Sequence, residues 1–125
     1  MARKKSITLT DAELRLMDVL WTNGPSNTTD VLKAIPGDSK LAYTTVLTTL
    51  RILEEKGYAG HTKDGKAFVY HAIVDRASAR RSALRHLVDR LFQNSPELLF
   101  SNLISDEKLT AKQLSGIKKL IEESE

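Results

Sequence analysis

Cysteine is absent from the 125 residues. One absence therefore removes disulfides, thiolate metal ligands and thiol nucleophiles, and it suits a reducing compartment. Long apolar runs are missing too: none approaches the roughly 18 residues that span a bilayer, and the basic start, Met1 to Lys5, leads into no signal-peptide core. A cytoplasmic chain with no membrane segment is the expectation. Histidine occurs only 3 times. His61 and His71 fall on a predicted hairpin and His86 on a distant helix, with no carboxylate at ligand spacing, so no metal site is expected. Phosphate-binding glycine loops of the GxxxxGK[ST] or GxGxxG kind do not occur, and no serine sits in a nucleophile elbow. Nothing here points to an enzyme or to a cofactor.

A strong charge of one sign is also lacking, since the net charge is only +3. Its distribution says more. Residues 1–90 carry 15 Lys/Arg against 10 Asp/Glu, whereas residues 91–125 carry 4 against 6. A basic front and a mildly acidic tail fit contact with nucleic acid followed by a second role.

What is present is a succession of short amphipathic helices. Thr10 and Glu13 form a capping box. The helix behind it presents Leu14, Met17, Leu20 and Trp21 for burial and stops at Asn23-Gly24-Pro25. Ser26 or Asn27 caps a second helix with Val31, Leu32 and Ile35, which Pro36-Gly37 ends. A third runs from about Leu41 to Lys56 on a stripe of Val46, Leu50 and Leu53, and Gly57 stops it. The period then changes. Tyr58–Thr62 and Ala67–Ile73 are rich in aromatic and β-branched residues, and Lys63-Asp64-Gly65-Lys66 between them is a hairpin signal. Helical period resumes from about Asp75 to Phe92, restarts after Asn94-Ser95-Pro96, and resumes once more behind a second capping box, Thr110 with Gln113.

Helix, helix, helix, hairpin is the layout of a winged helix-turn-helix. The expected fold class is mainly α with a small β-hairpin wing: a winged helix-turn-helix over residues 1–74, then a three-helix dimerisation region over 75–125. Leu84, Leu87, Leu91, Leu99, Leu103, Leu114, Ile117 and Ile121 are the expected dimer seam. They are too many apolar groups for so small a core to cover, and such patches mark interfaces.

The third helix opens Lys40-Leu41-Ala42-Tyr43-Thr44-Thr45-Val46. Opposite its apolar stripe stand Tyr43, Thr44, Thr45 and Thr48, polar and free of acid. Threonine is a mediocre helix former, so this density on a bare surface asks for a ligand. Hydroxyls suit base edges and phosphates, and threonine methyls suit thymine methyls. Lys40 flanks this face and Arg51 reaches a phosphate. The wing adds Lys63 and Lys66 around Gly65. Arg76, Arg80, Arg81 and Arg85 follow at helical spacing, where they either touch flanking phosphates or solvate the helix and pair with acids across a dimer. The competing class is a winged helix used as a protein-interaction module without sequence-specific DNA binding; it calls for an apolar or acidic face on the third helix.

Leu9-Thr10-Asp11-Ala12-Glu13 with Met17 and Leu20-Trp21, then Ala42-Tyr43-Thr44-Thr45-Val46 through Leu53-Glu54-Glu55-Lys56-Gly57, the wing ending Ala67-Phe68-Val69-Tyr70, and Leu91-Phe92 before a polar break together resemble the penicillinase-repressor (BlaI/MecI) family over about residues 7–123. The resemblance implies a repressor that binds double-stranded, palindromic operator DNA as a homodimer. It also implies release by a signalling protease that cuts an Asn-Phe bond in the dimer region, a place that Asn102-Leu103 occupies here with Leu for Phe. The copper-responsive branch of the family carries C-terminal cysteines, which this chain lacks.

Overall fold

The computed structural model describes residues 8–37, 41–106 and 109–124. The chain divides into two compact units, Met1–His86 and Leu87–Glu125.

In the first unit helix α1 spans Asp11–Asn23, strand β1 Ser26–Asn27, helix α2 Thr28–Ala34 and helix α3 Tyr43–Lys56; strands β2 (Ala59–Asp64) and β3 (Ala67–Ala72) follow, and helix α4 (Arg76–Leu91) begins there. Local chemistry sets the ends of these elements. The Thr10 hydroxyl accepts from the Glu13 N–H at 3.1 Å while the Glu13 carboxylate accepts from the Thr10 N–H at 2.8 Å, closing the capping box. Gly24 (φ 82) and Gly57 (φ 86) end α1 and α3 in backbone conformations that cost other residues strain. Asn27, not Ser26, caps α2, its side chain accepting from the Asp30 N–H at 2.8 Å.

Ser26 instead belongs to β1, an element with no sequence counterpart, and its hydroxyl donates to the Gly24 carbonyl. β1 and β2 both pair antiparallel with β3, giving the order β1-β3-β2. Pairing of Asp64 with Ala67 leaves only Gly65 and Lys66 in the turn, tighter than the four-residue connection read from the sequence. Gly65 has φ 65 and Lys66 does not share a positive φ, the pattern of a II′ hairpin turn.

The core contains Leu16, Met17, Leu20, Val31, Val46, Leu50, Leu53, Tyr58 and Tyr70. α1 differs from its expected face. Leu14 is 43% exposed, whereas Leu16 and Val19 are buried. The buried arc is set by Glu13, Leu16, Met17 and Leu20, spaced i, i+3, i+4 and i+7; Leu14 lies roughly 100° round from Glu13. Trp21 sits at the margin, its indole N–H donating to the Val74 carbonyl at 2.9 Å.

The second unit holds the end of α4, helix α5 (Pro96–Asp106) and helix α6 (Ala111–Glu123). Pro96 occupies the first turn of α5, where its missing N–H costs nothing. Gln93 and Asn94, at φ 50 and 62, turn the chain between α4 and α5. Thr110 and Gln113 close the second capping box. Among the described residues 87–124, Val88 alone is buried.

Candidate nucleic-acid interface

Helix α3 is held from behind by Val46, Leu50 and Leu53, all fully buried, so its opposite face has a fixed outlook. On that face Tyr43, Thr44, Thr45, Thr48 and Arg51 are exposed. Thr44, Thr48 and Arg51 follow at i, i+4 and i+7 and form one stripe. Thr49 is the exception in the threonine run. It is buried, and its hydroxyl donates to the Thr45 carbonyl at 2.7 Å, which satisfies it within the helix. No acid lies in the first turn. Lys40 lies outside the described residues.

The wing stands beside this face and is tied to it. His61 Nδ1 lies 2.7 Å from Glu54 Oε1 of α3. The same imidazole stacks on Phe68 with ring centroids 4.3 Å apart. Lys63, cross-strand from Phe68, holds its ammonium 6.0 Å from that ring, at the edge of cation–π range. Lys63 and Lys66 are both exposed. A cavity of about 250 Å³ brings together Thr29 of α2, Tyr43 and Leu47 of α3, and Lys66 and Phe68 of the wing. Tyr43 and Lys66, distant in sequence, thus share one concavity. Thr29 and Leu47 were not among the expected contacts. Thr29 stands two residues after the Asn27 cap, and only the packing of α2 against α3 reveals where it points.

Behind the stripe, Arg51 and Glu54 act on the hydroxyl of buried Tyr70. Burial raises its pKa most, the Glu54 charge raises it further, and Arg51 opposes them. Tyr70 therefore stays protonated and neutral. Arg76 is engaged with α1: its guanidinium lies over the Trp21 ring at 5.3 Å, donates to the Thr22 hydroxyl and approaches Asp18 at 3.6 Å. Arg81 donates to the Ser78 hydroxyl. These two arginines have work within the protein.

Of the residues expected at a dimer seam, Leu84, Leu87, Leu91, Leu103, Leu114 and Ile121 are exposed, Leu91 to 68%. Leu99 and Ile117 are half-buried. Asn102 and Leu103 lie inside α5 on its exposed side, and the Asn102 amide donates to the Leu98 carbonyl at 2.8 Å.

Three packed helices, a short third strand and a tight basic hairpin beside a polar helix face that carries no acid between Tyr43 and Arg51 define a winged helix-turn-helix protein. Residues 9–123 match the family model described as Penicillinase repressor, and the chain belongs to that family, one of transcriptional repressors and not of enzymes. It is similar to the penicillinase repressor of Bacillus licheniformis, 27% identical over 120 residues covering 96% of this chain and 94% of the relative. It is also similar to the methicillin resistance regulatory protein MecI of Staphylococcus aureus (strain N315), 18% identical over 117 residues covering 94% and 95%. Among solved structures, the solution structure of the DNA binding domain of the repressor BlaI matches with TM-score 0.52 and 36% identity, covering 60% of this chain and 93% of that one. No helix among the described residues is long and apolar enough to cross a membrane.

Proposed function

We propose that this protein is a sequence-specific repressor that places α3 in the major groove of double-stranded operator DNA and acts as a homodimer on a palindrome. The observation that carries the reading is the face of Tyr43, Thr44, Thr45, Thr48 and Arg51, held outward by a buried stripe and flanked by the wing lysines. A helix face without an acid from Tyr43 to Arg51 can approach DNA with little charge repulsion. The threonine hydroxyls donate or accept at base edges, and their methyls pack on thymine methyls. Arg51, Lys63 and Lys66 neutralise phosphates, which supplies affinity on any sequence, while the threonines supply discrimination. The names of the relatives, a penicillinase repressor and the DNA binding domain of a repressor, support the same reading.

Dimerisation is assigned to residues 75–125. The support is their exposed leucines and isoleucines together with the single buried residue among the described residues of the second unit. A small helical region with so little interior gains stability by burying these groups on a second copy. Two reading heads on a two-fold axis then match half-sites about 34–36 Å apart or a multiple of that. A signalling protease that cuts Asn102-Leu103 would detach α6 from the interface and release the operator. A sparsely packed α5 supports this, since a helical bond must unwind before a protease can take it. The site of action is the cytoplasm. Selection of bound duplexes from random DNA tests the whole reading: enrichment of an inverted repeat is expected, and a bound pool without any common sequence overturns it.

A further inference from the structure

A second concavity lies away from the face of α3. It has a volume of about 380 Å³ and opens between α1 and the first half of α4, with Leu14, Trp21 and Ala83 among its walls and Asp18, Arg76 and Arg80 at its rim. This is the size of a small-ligand pocket rather than of a packing defect. Its main wall is fixed in advance, because the Trp21 indole is held by the Val74 carbonyl and covered on one side by the Arg76 guanidinium. With its N–H already used, the indole offers a guest only an apolar ring. Leu14 is exposed against the logic of α1's own core; here it serves as part of the same apolar lining. The rim charges do not cancel. Asp18 and Arg76 face each other at 3.6 Å, whereas Arg80, one turn further along α4, has no ionic or hydrogen-bonded partner among the described residues.

We propose that this pocket binds a small amphipathic anion: a compact aromatic or branched apolar body seated on Trp21 and Leu14, with one carboxylate directed to Arg80. The fit rests on charge complementarity. An apolar cleft with one uncompensated cation at its edge favours a ligand that is apolar at one end and singly negative at the other, since the body gives up water while the carboxylate stays at the rim. A polar or cationic ligand would lose on both counts. The site is independent of the α3 face, so it stands or falls apart from the reading of DNA binding.

Trp21 is the only tryptophan of the chain, which makes it the reporter. The intact protein is titrated with 4-tert-butylbenzoate and, in parallel, with its uncharged isostere 4-tert-butylbenzamide, while Trp21 fluorescence is followed. A probe of about a dozen non-hydrogen atoms should saturate in the high-micromolar to low-millimolar range. The carboxylate should bind about fivefold more tightly than the amide, the advantage of an exposed charge pair. Arg80→Gln should abolish that advantage and leave amide binding unchanged. Ala83→Phe, which fills an exposed wall position, should remove both responses. Equal affinity for the two probes overturns the assignment of an anion. Unaltered binding in Ala83→Phe, or no saturable response to either probe, overturns the site. Loss of self-association in Ala83→Phe without any ligand response assigns the pocket to a second copy of the chain and overturns the proposal as well.

Discussion

The Lys56 ammonium at the end of α3 lies 2.7 Å from the Glu13 carboxylate at the start of α1. Glu13 is almost fully buried and holds two positions at once, because the same oxygen accepts from the Thr10 N–H of the capping box. Lys56 also donates to the Thr8 carbonyl at 3.4 Å. The pair fixes where α3 leaves the core, and so the direction in which the threonine face points. Glu13→Ala removes the carboxylate half of the capping box, leaves the Thr10 hydroxyl bond in place and strands a largely buried cation, and it should cost about 2–3 kcal/mol. Glu13→Gln keeps an acceptor for the cap and should cost less. Urea denaturation of the two variants checks this; equal losses would mean that the side-chain bond from residue 13 back to the Thr10 N–H contributes nothing.

Much of this arrangement is legible in the sequence because its causes are local. Capping boxes at Thr10 and Thr110, the stops at Gly24 and Gly57, and the change of period after Tyr58 depend on residues a few positions apart, and each is where it was expected. What the sequence hides is non-local. β1 has only two residues, and its strand character comes from pairing with Val69 and Tyr70. The Glu13–Lys56 pair spans 43 positions, and each residue alone reads as an ordinary helix-end charge. Leu14 shows the limit of apolar spacing: two faces of α1 carry leucine, and only packing decides which is inside. Thr49 shows the reverse, since a threonine in a polar run proves to be buried and satisfied. Tyr43, Thr44, Thr45 and Thr48 were readable because the apolar stripe of α3 is unambiguous and leaves one face over.

At the start of α4 the Asp75 carboxylate accepts from the Ser78 N–H at 2.7 Å. That backbone bond, with a weaker contribution from the Ser78 side chain, lowers its pKa below the ordinary carboxylate value. A lowered folded-state pKa means that the charged form stabilises the fold above the unfolded pKa and that this contribution is lost as pH falls through the lowered one. The stability gap between the native chain and Asp75→Ala should therefore be constant near neutrality and close in acid. Denaturation midpoints across an acid pH series measure it; a gap that widened in acid would contradict the assignment.

The exposed seam of the helical region gives a prediction about assembly. Sedimentation of the intact chain at micromolar concentration should show a dimer. Leu91→Asp combined with Ile121→Asp should give a monomer, because a carboxylate cannot be buried there without a partner. Operator affinity should then fall by about 100-fold through lost effective concentration, with the winged unit still folded by circular dichroism. A native chain that sediments as a monomer yet binds a palindrome tightly would remove the dimer assignment and the proposed cleavage switch together.

Lys63 and Lys66 are exposed at and beside the wing turn, and the proposed function has them meet phosphates rather than bases. Lys63→Ala and Lys66→Ala should each weaken binding to every duplex and reduce the slope of log affinity against log salt by about one unit. Titrations at several salt concentrations read this directly. An unchanged slope would mean that the lysines are solvated side chains of an ordinary turn.

Whether α3 reads sequence is decided by comparing an operator recovered from random DNA with a scrambled duplex of the same composition, by fluorescence anisotropy at one fixed salt concentration, for the native chain, Thr45→Ala and Thr48→Ala. Each substitution should cost about 1–3 kcal/mol on the operator and leave the scrambled duplex nearly unaffected. Equal losses on both duplexes, or no loss on the operator, would contradict the placement of this face in the major groove.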